Sequence, residues 1–210
     1  KEYGILFEYE VNKKFGWFKD DNSDVGTFRK YEGEIENGKP NGNGTITWTN
    51  NVLINPFLGK MVGKYVGGWK DGEIHGQGIE TWNTGYRYEG GWKYGKYHGQ
   101  GELSSSGFVI YEGEWKNGKY YGQGTLKEQK LYTNEIISKS VGYFKYGYQW
   151  DTTIFDKDGV IIGGFEDGLD KNKDFTKKQK LILFRHFENR KWKWIRDRKE
   201  EDDGIYFGEI

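Results

Sequence analysis

One eight-residue string returns along the chain at a fixed step of 23 residues. It reads Tyr65-Val66-Gly67-Gly68-Trp69-Lys70-Asp71-Gly72, then Tyr88-Glu89-Gly90-Gly91-Trp92-Lys93-Tyr94-Gly95, then Tyr111-Glu112-Gly113-Glu114-Trp115-Lys116-Asn117-Gly118. A fixed period of that size marks an array of small units rather than a conventional globular domain. Each unit of an array touches mainly its neighbours, so the product is elongated and offers surface more readily than an enclosed pocket.

The alternation inside one unit fixes its local structure. Tyr65, Gly67 and Trp69 alternate with Val66, Gly68 and Lys70, which in a strand puts the first set on one face. Asp71-Gly72 then supplies the residue types that a tight hairpin turn with positive φ requires. The chain returns through His75-Gly76-Gln77-Gly78-Ile79-Glu80-Thr81-Trp82, and Asn83-Thr84-Gly85 is the next turn signal. Two strands per unit, paired edge to edge, predict an all-β, elongated, single-sheet array of antiparallel β-hairpins.

Composition says what can hold such a sheet. Hydrophobic residues make up only 34% of the 210-residue chain and mean hydropathy is −0.93, so a thick aliphatic core is excluded. Aromatics reach 18%, and each buries a large area. The 33 glycines are about twice ordinary usage. Glycine inside strands normally weakens them, so its fixed slots need a packing reason. Gly67, Gly76 and Gly78 are expected to leave flat floor for aromatic rings, with Tyr65, Tyr88 and Tyr111 forming one ladder and Trp69, Trp92 and Trp115 a second. Lys plus Arg equals Asp plus Glu at 32 each, so no net charge draws the chain toward nucleic acid. There is no cysteine, and no apolar run reaches transmembrane length.

These residues resemble the MORN family (membrane occupation and recognition nexus), whose pattern is close to Y-x-G-x-W-x-x-G-x-x-H-G-x-G followed by a short aromatic strand. Tyr88 to Gly101 matches it throughout, with His98-Gly99-Gln100-Gly101. Tyr111 to Gly124 matches with Tyr121 in the His slot, and an earlier copy opens at Tyr31 with Ile35 in place of Trp. Clear copies cover residues 31–127. The resemblance implies links to membranes and phosphoinositides.

The pattern loosens elsewhere. The step from Tyr31 to Tyr65 is 34 residues, and the extra segment Val52 to Gly59 contains Pro56, which disfavours a central strand. It reads as a loop packed over the sheet, with an exposed adhesive tip as the alternative. Residues 128–168 hold two worn copies around Phe144 and Phe165, with a hairpin signal between them at Ile154 to Ile161. Residues 1–30 read as an N-terminal hairpin cap. Residues 169–210 read as a basic C-terminal hairpin and the start of a further copy, because Tyr206-Phe207-Gly208-Glu209-Ile210 repeats Tyr31-Glu32-Gly33-Glu34-Ile35 with one change. A cut piece of a longer chain, or a terminal strand that pairs with an open edge, both account for that unfinished copy.

Catalytic chemistry finds little support. His75 and His98 share one repeat slot, and neither has the converging ligands a metal site needs. His186 reads as a surface strand residue. Asp20 to Gly26 resembles the start of a calcium loop, but Val25 and Tyr31 stand where glycine and glutamate are required, so a solvated turn is favoured. Phosphate-loop, dinucleotide and nucleophile-elbow motifs lack a suitable strand–turn–helix context. No catalytic, cofactor-binding or metal-ligating residue is therefore expected.

Binding is the expected use, with a protein partner laid along an aromatic-lined surface. The expected contact residues are the exposed parts of Tyr65, Tyr88, Tyr111, Trp69, Trp92 and Trp115, together with Trp48 and Trp82. The slot four residues after the last repeat glycine is Trp48, Trp82, Ser105 and Glu128 in successive copies, which places the complete rail in the N-terminal half. Two alternatives stand beside this. One is association with anionic membranes through Lys191, Trp192, Lys193, Trp194 and Arg196, in a stretch from Lys177 to Lys199 with ten Lys and Arg residues. Its competing reading is a solvated hairpin with both tryptophans turned inward. The other alternative is a homo-oligomer joined through the chain ends.

Overall fold

A computed structural model describes residues 1–11, 14–19, 28–55, 59–129, 135–171, 185–188 and 191–194. Strands account for nearly all of them. The first ten are β1 (Glu2–Val11), β2 (Lys14–Phe18), β3 (Phe28–Glu36), β4 (Lys39–Asn55), β5 (Gly59–Lys70), β6 (Glu73–Trp82), β7 (Tyr86–Lys93), β8 (Lys96–Ser105), β9 (Phe108–Lys116) and β10 (Lys119–Gln129). They are followed by β11 (Ile136–Lys145), β12 (Tyr148–Asp156), β13 (Ile161–Glu166) and β14 (Leu169–Asp170). These fourteen form one open antiparallel sheet in the order β14 back through β3, then β1 and β2. A separate hairpin pairs β15 (Arg185–Glu188) with β16 (Lys191–Trp194).

The turns follow the sequence signal. Asp71 and Gly72 both take positive φ, 53° and 92°, which is the primed geometry that matches strand twist. The turn glycines also join the units. Gly72 N–H donates to Pro40 O at 2.9 Å, Gly95 to Ile74 O at 3.0 Å, Gly118 to Tyr97 O at 2.9 Å and Gly147 to Tyr120 O at 2.9 Å. Each turn is thus clamped to the return strand of the preceding unit.

The His-Gly-Gln-Gly stretch has a shape of its own. Gly67 pairs with Gly78 and Trp69 with Ile74, so three return-strand residues stand opposite Gly68 alone. This is a bulge, and Gly76 sits in it at φ 81° with open space where a Cβ would go. Gly76 is therefore a conformational residue, which corrects its expected place in the floor. Gly67 and Gly78 do form floor. A Cβ on either would lie 2.4 and 2.3 Å from the Tyr65 side chain.

The bulge also presents carbonyls to the tyrosine. The hydroxyl of Tyr65 donates to Gly68 O at 3.0 Å, and Tyr31, Tyr88 and Tyr111 make the same bond to Glu34, Gly91 and Glu114 at 2.7, 3.0 and 3.0 Å. All four tyrosines have 0% exposure. Burial pushes the Tyr31 phenol up to about 12 and raises those of Tyr65, Tyr88 and Tyr111. They remain neutral donors across the physiological range.

The aromatic rings form one file where two ladders were expected. Tyr65 meets Trp69 of its own unit at 5.8 Å and Trp92 of the next at 5.1 Å; Tyr88 meets Trp92 and Trp115, each at 5.3 Å. Tyr31 and Trp69 extend the file at 5.1 Å, and Tyr111 and Phe144 end it at 5.3 Å. The arrangement follows from the glycine floor. Each tyrosine lies across its own hairpin until its edge reaches the next indole, and edge-to-face contacts of this kind contribute about 0.5–1.5 kcal/mol each. Trp92 and Trp115 are held in turn by Nε1 bonds to Gly78 O and Gly101 O of the preceding unit, at 3.3 and 3.0 Å. The file stops at Phe144 because the next tyrosine slot holds Ser140, while Ile161 in the slot after that is 65% exposed.

One further expectation changes. The Val52 to Gly59 insert is not a separate loop, since Asn50 pairs with Met61 and Asn55 with Gly59, and the β4–β5 hairpin simply runs longer. Strand β4 ends at Asn55, before Pro56, so no ladder bond is asked of the proline; Pro56 itself lies outside the described residues. Likewise Lys127 pairs with Lys139 and Glu128 with Ser138, which lengthens the β10–β11 hairpin. The hairpin expected at Ile154 to Ile161 is present, its turn closed by Asp156 Oδ1 accepting from the N–H groups of Asp158 and Val160 at 2.9 and 2.8 Å.

Candidate aromatic groove

The tyrosine file closes one face of the sheet, and a second row beside it stays open. Strand register pairs Trp17 with Glu8, Glu8 with Arg29, Arg29 with Trp48, Trp48 with Gly63 and Gly63 with Trp82. Six residues from six strands thus stand in one line, two pleat positions from the buried tyrosines. The line ends in a change of chemistry: on the far side, Tyr86 pairs with Ser105.

Gly63 shapes this row. A Cβ there would lie 2.4 Å from the Trp48 indole, so only glycine lets that ring lie down across β5. Trp48 consequently reaches Trp82, with ring centroids 5.3 Å apart and planes at 75°. The corresponding slots in other units are Arg29, Tyr86 and Val109, and none would leave the same space.

Around the two indoles lies a groove of about 410 Å³. Its walls include Trp48, Trp82, Ile46 and Ile74, the rims of Trp17, Trp69 and Trp92, and the polar groups Glu8, Arg29, Glu73 and Glu80. Three carboxylates therefore face one guanidinium, and that guanidinium is already taken, since Arg29 lies 2.7 Å from Glu8. Glu80 accepts a bond from Trp82 Nε1 at 3.1 Å and a short one from the Tyr97 hydroxyl. Burial first, and that bond second, raise the Tyr97 phenol. Burial also raises the Tyr86 phenol, with nearby Glu80 adding to it.

The sequence-expected contact residues separate into three sets. Trp48 and Trp82 come together and are half-buried, with surface left to offer. Trp69 and Trp92, each 6% exposed, contribute rims to the groove. Tyr65, Tyr88 and Tyr111 have no exposed surface, and Trp115 at 4% exposure is not among the groove's lining residues. The membrane candidates Lys191, Trp192, Lys193 and Trp194 lie on β16, but their side chains, and Arg196 as a whole, are outside the described residues. The same holds for His186 and for the turn at Asp20 to Gly26. Gly63, Glu80, Glu8 and Arg29 were missed by sequence reasoning. Glu80 carried a legible signal: two residues after the last repeat glycine, the successive units hold Ile46, Glu80, Leu103 and Leu126.

Among the described residues no group of three or more His, Asp or Glu side chains could hold a metal ion. His75 and His98 are the first residues of their bulges, each with a buried Nδ1 that finds no partner among the described residues, and burial lowers the affinity of the His98 imidazole for a proton.

The family model described as MORN repeat fits residues 31–52, 65–85, 88–107 and 111–127, which are the four units of the tyrosine file. No curated protein matches the chain.

Proposed function

This chain is a MORN-repeat protein over residues 31–127, and from that premise we propose that it is a non-enzymatic scaffold whose Trp48–Trp82 groove seats an extended segment of a protein partner. The repeat family is typically non-enzymatic and is associated with protein and membrane contacts in general. The observation that carries the finer reading is the open indole pair. The two tryptophans are half-buried and set at an angle, with Trp48 lying over Gly63, and both line the groove. Tryptophan is enriched at interface hot spots because it gives large contact area at low entropic cost.

Selection from a displayed library of random short peptides tests the reading. The wild-type chain should enrich peptides that bind it, and Trp48→Ala combined with Trp82→Ala should abolish that binding while the strand signal in circular dichroism persists. Failure to enrich any peptide, or equal binding by the folded double variant, would overturn it.

A further inference from the structure

Glu80 breaks a rule that its row keeps from Leu6 to Leu126. Register aligns Leu6, Tyr31, Ile46, Tyr65, Glu80, Tyr88, Leu103, Tyr111 and Leu126 in one row across nine strands. Eight of these positions are apolar or aromatic, and Glu80 is the one carboxylate among them. An aliphatic residue fits this slot in three other units, so packing alone does not call for an acid.

The surroundings of Glu80 show what the acid can do. Its oxygens are oriented by two neutral donors, Trp82 Nε1 and the Tyr97 hydroxyl, which fix the carboxylate without cancelling its charge. Among the described residues neither Glu80 nor Glu73 forms an ion pair, and Arg29 is committed to Glu8. Each carboxylate oxygen accepts more than one bond, so acceptor capacity remains. The indoles of Trp48 and Trp82 stand alongside. A flat cation suits this combination: guanidinium stacks on an aromatic face and pairs with a carboxylate through a rigid fork of donors.

Resting on the groove reading above, we propose that Trp48, Trp82 and Glu80 form an arginine-selecting subsite, in which a partner's guanidinium stacks on indole and pairs with Glu80. Glu73 adds negative potential at the rim. The subsite gives the groove a preference that aromatic rails lack, since an indole pair alone accepts any apolar side chain.

The test is a nuclear magnetic resonance titration of the full chain, read at the indole N–H signals of Trp48 and Trp82. The probes are Nα-acetyl-arginine methylamide, the isosteric neutral citrulline analogue, and the norleucine analogue. The arginine probe should shift both indole signals and bind about tenfold more tightly than citrulline, a difference of about 1.4 kcal/mol. Glu80→Gln keeps an acceptor but loses the charge, and Glu80→Leu restores the residue type of the other units. Both should remove the preference for arginine over citrulline, while the indole signals still respond to norleucine. Equal affinity for arginine and citrulline, no response to arginine, or an unaltered preference in Glu80→Gln would each sink the subsite. A purely structural Glu80, present only to satisfy Trp82 and Tyr97, gives that first outcome. If selected peptides still depend on Trp48 and Trp82, the groove reading stands without the subsite; if wild type selects no peptide, the groove reading itself fails.

Discussion

Two neighbouring rows cross the same face of the sheet and follow opposite rules. In the row through Tyr31, Tyr65, Tyr88 and Tyr111 the tyrosine returns in each of the four clear units, fully buried and tied by its hydroxyl to a bulge carbonyl. In the row through Arg29, Trp48, Gly63 and Trp82 the side chain changes at each strand, and the indoles keep open surface. A position that must do the same job in each unit tolerates one residue. A position released from that job is free to diverge, and divergence inside an array is where a particular partner can be encoded.

The largest effect separates the rows by stability. Tyr88→Ala removes a fully buried ring from the middle of the file and should cost about 3–5 kcal/mol in urea unfolding. Trp48→Ala, at a half-buried position, should cost about 1 kcal/mol. Equal costs would break the distinction between a building row and a contacting row.

Next comes the floor. A Cβ at Gly101 would lie 2.3 Å from the Tyr88 hydroxyl, so Gly101→Ala should cost about 1–3 kcal/mol through overpacking. Gly118→Ala offers a control with open space but positive φ, so its penalty is conformational alone and should leave the near-ultraviolet tyrosine signal unchanged.

Alkaline unfolding sharpens the same point. Burial pushes Tyr31 and Tyr120 up to about 12 and raises Tyr65, Tyr88, Tyr97 and Tyr111, whereas tyrosines in the unfolded chain lose their protons near pH ~10. Above that value the unfolded state binds fewer protons than the folded state, so stability falls as pH rises. It should be intact below pH ~10 and drop steeply toward pH ~12. Tyr88→Phe should flatten that drop, at a cost of about 1 kcal/mol at neutral pH for the lost hydrogen bond.

The repeat, the hairpin turns and the glycine floor were legible in the sequence because period, alternation and turn chemistry are local. Tyr65, Gly67 and Trp69 announce a strand face, and Asp71-Gly72 a turn, without knowledge of the neighbours. The joining of two ladders into one file was not legible. It depends on how far Tyr65 leans over Gly78 before it meets Trp92, which is a distance between units. The extended β4–β5 hairpin was hidden for a related reason: Pro56 argued against a strand, yet pairing ends one residue before it. Gly63 carries no local signal, because its use depends on Trp48 of the neighbouring strand lying on it. The company of Glu80 likewise comes from register, which pairs it with Tyr65 and Tyr88.

The smallest expected effect on stability is Glu80→Gln, whose amide oxygen still offers an acceptor to Trp82 Nε1 and the Tyr97 hydroxyl. It should change the unfolding free energy by about 0.5 kcal/mol, the order of the difference between a charged and a neutral acceptor. A loss of several kcal/mol would instead make Glu80 part of the building row.

The most direct test of the division between rows is the affinity of one library-selected peptide for two folded double variants. Trp48→Ala with Trp82→Ala empties the open row of the N-terminal units, and Ser105→Ala with Glu128→Ala alters the matching slots of the later ones. The account predicts that the first variant loses the peptide and the second binds it as the wild type does. Equal loss in both, or retention by the first, would contradict it.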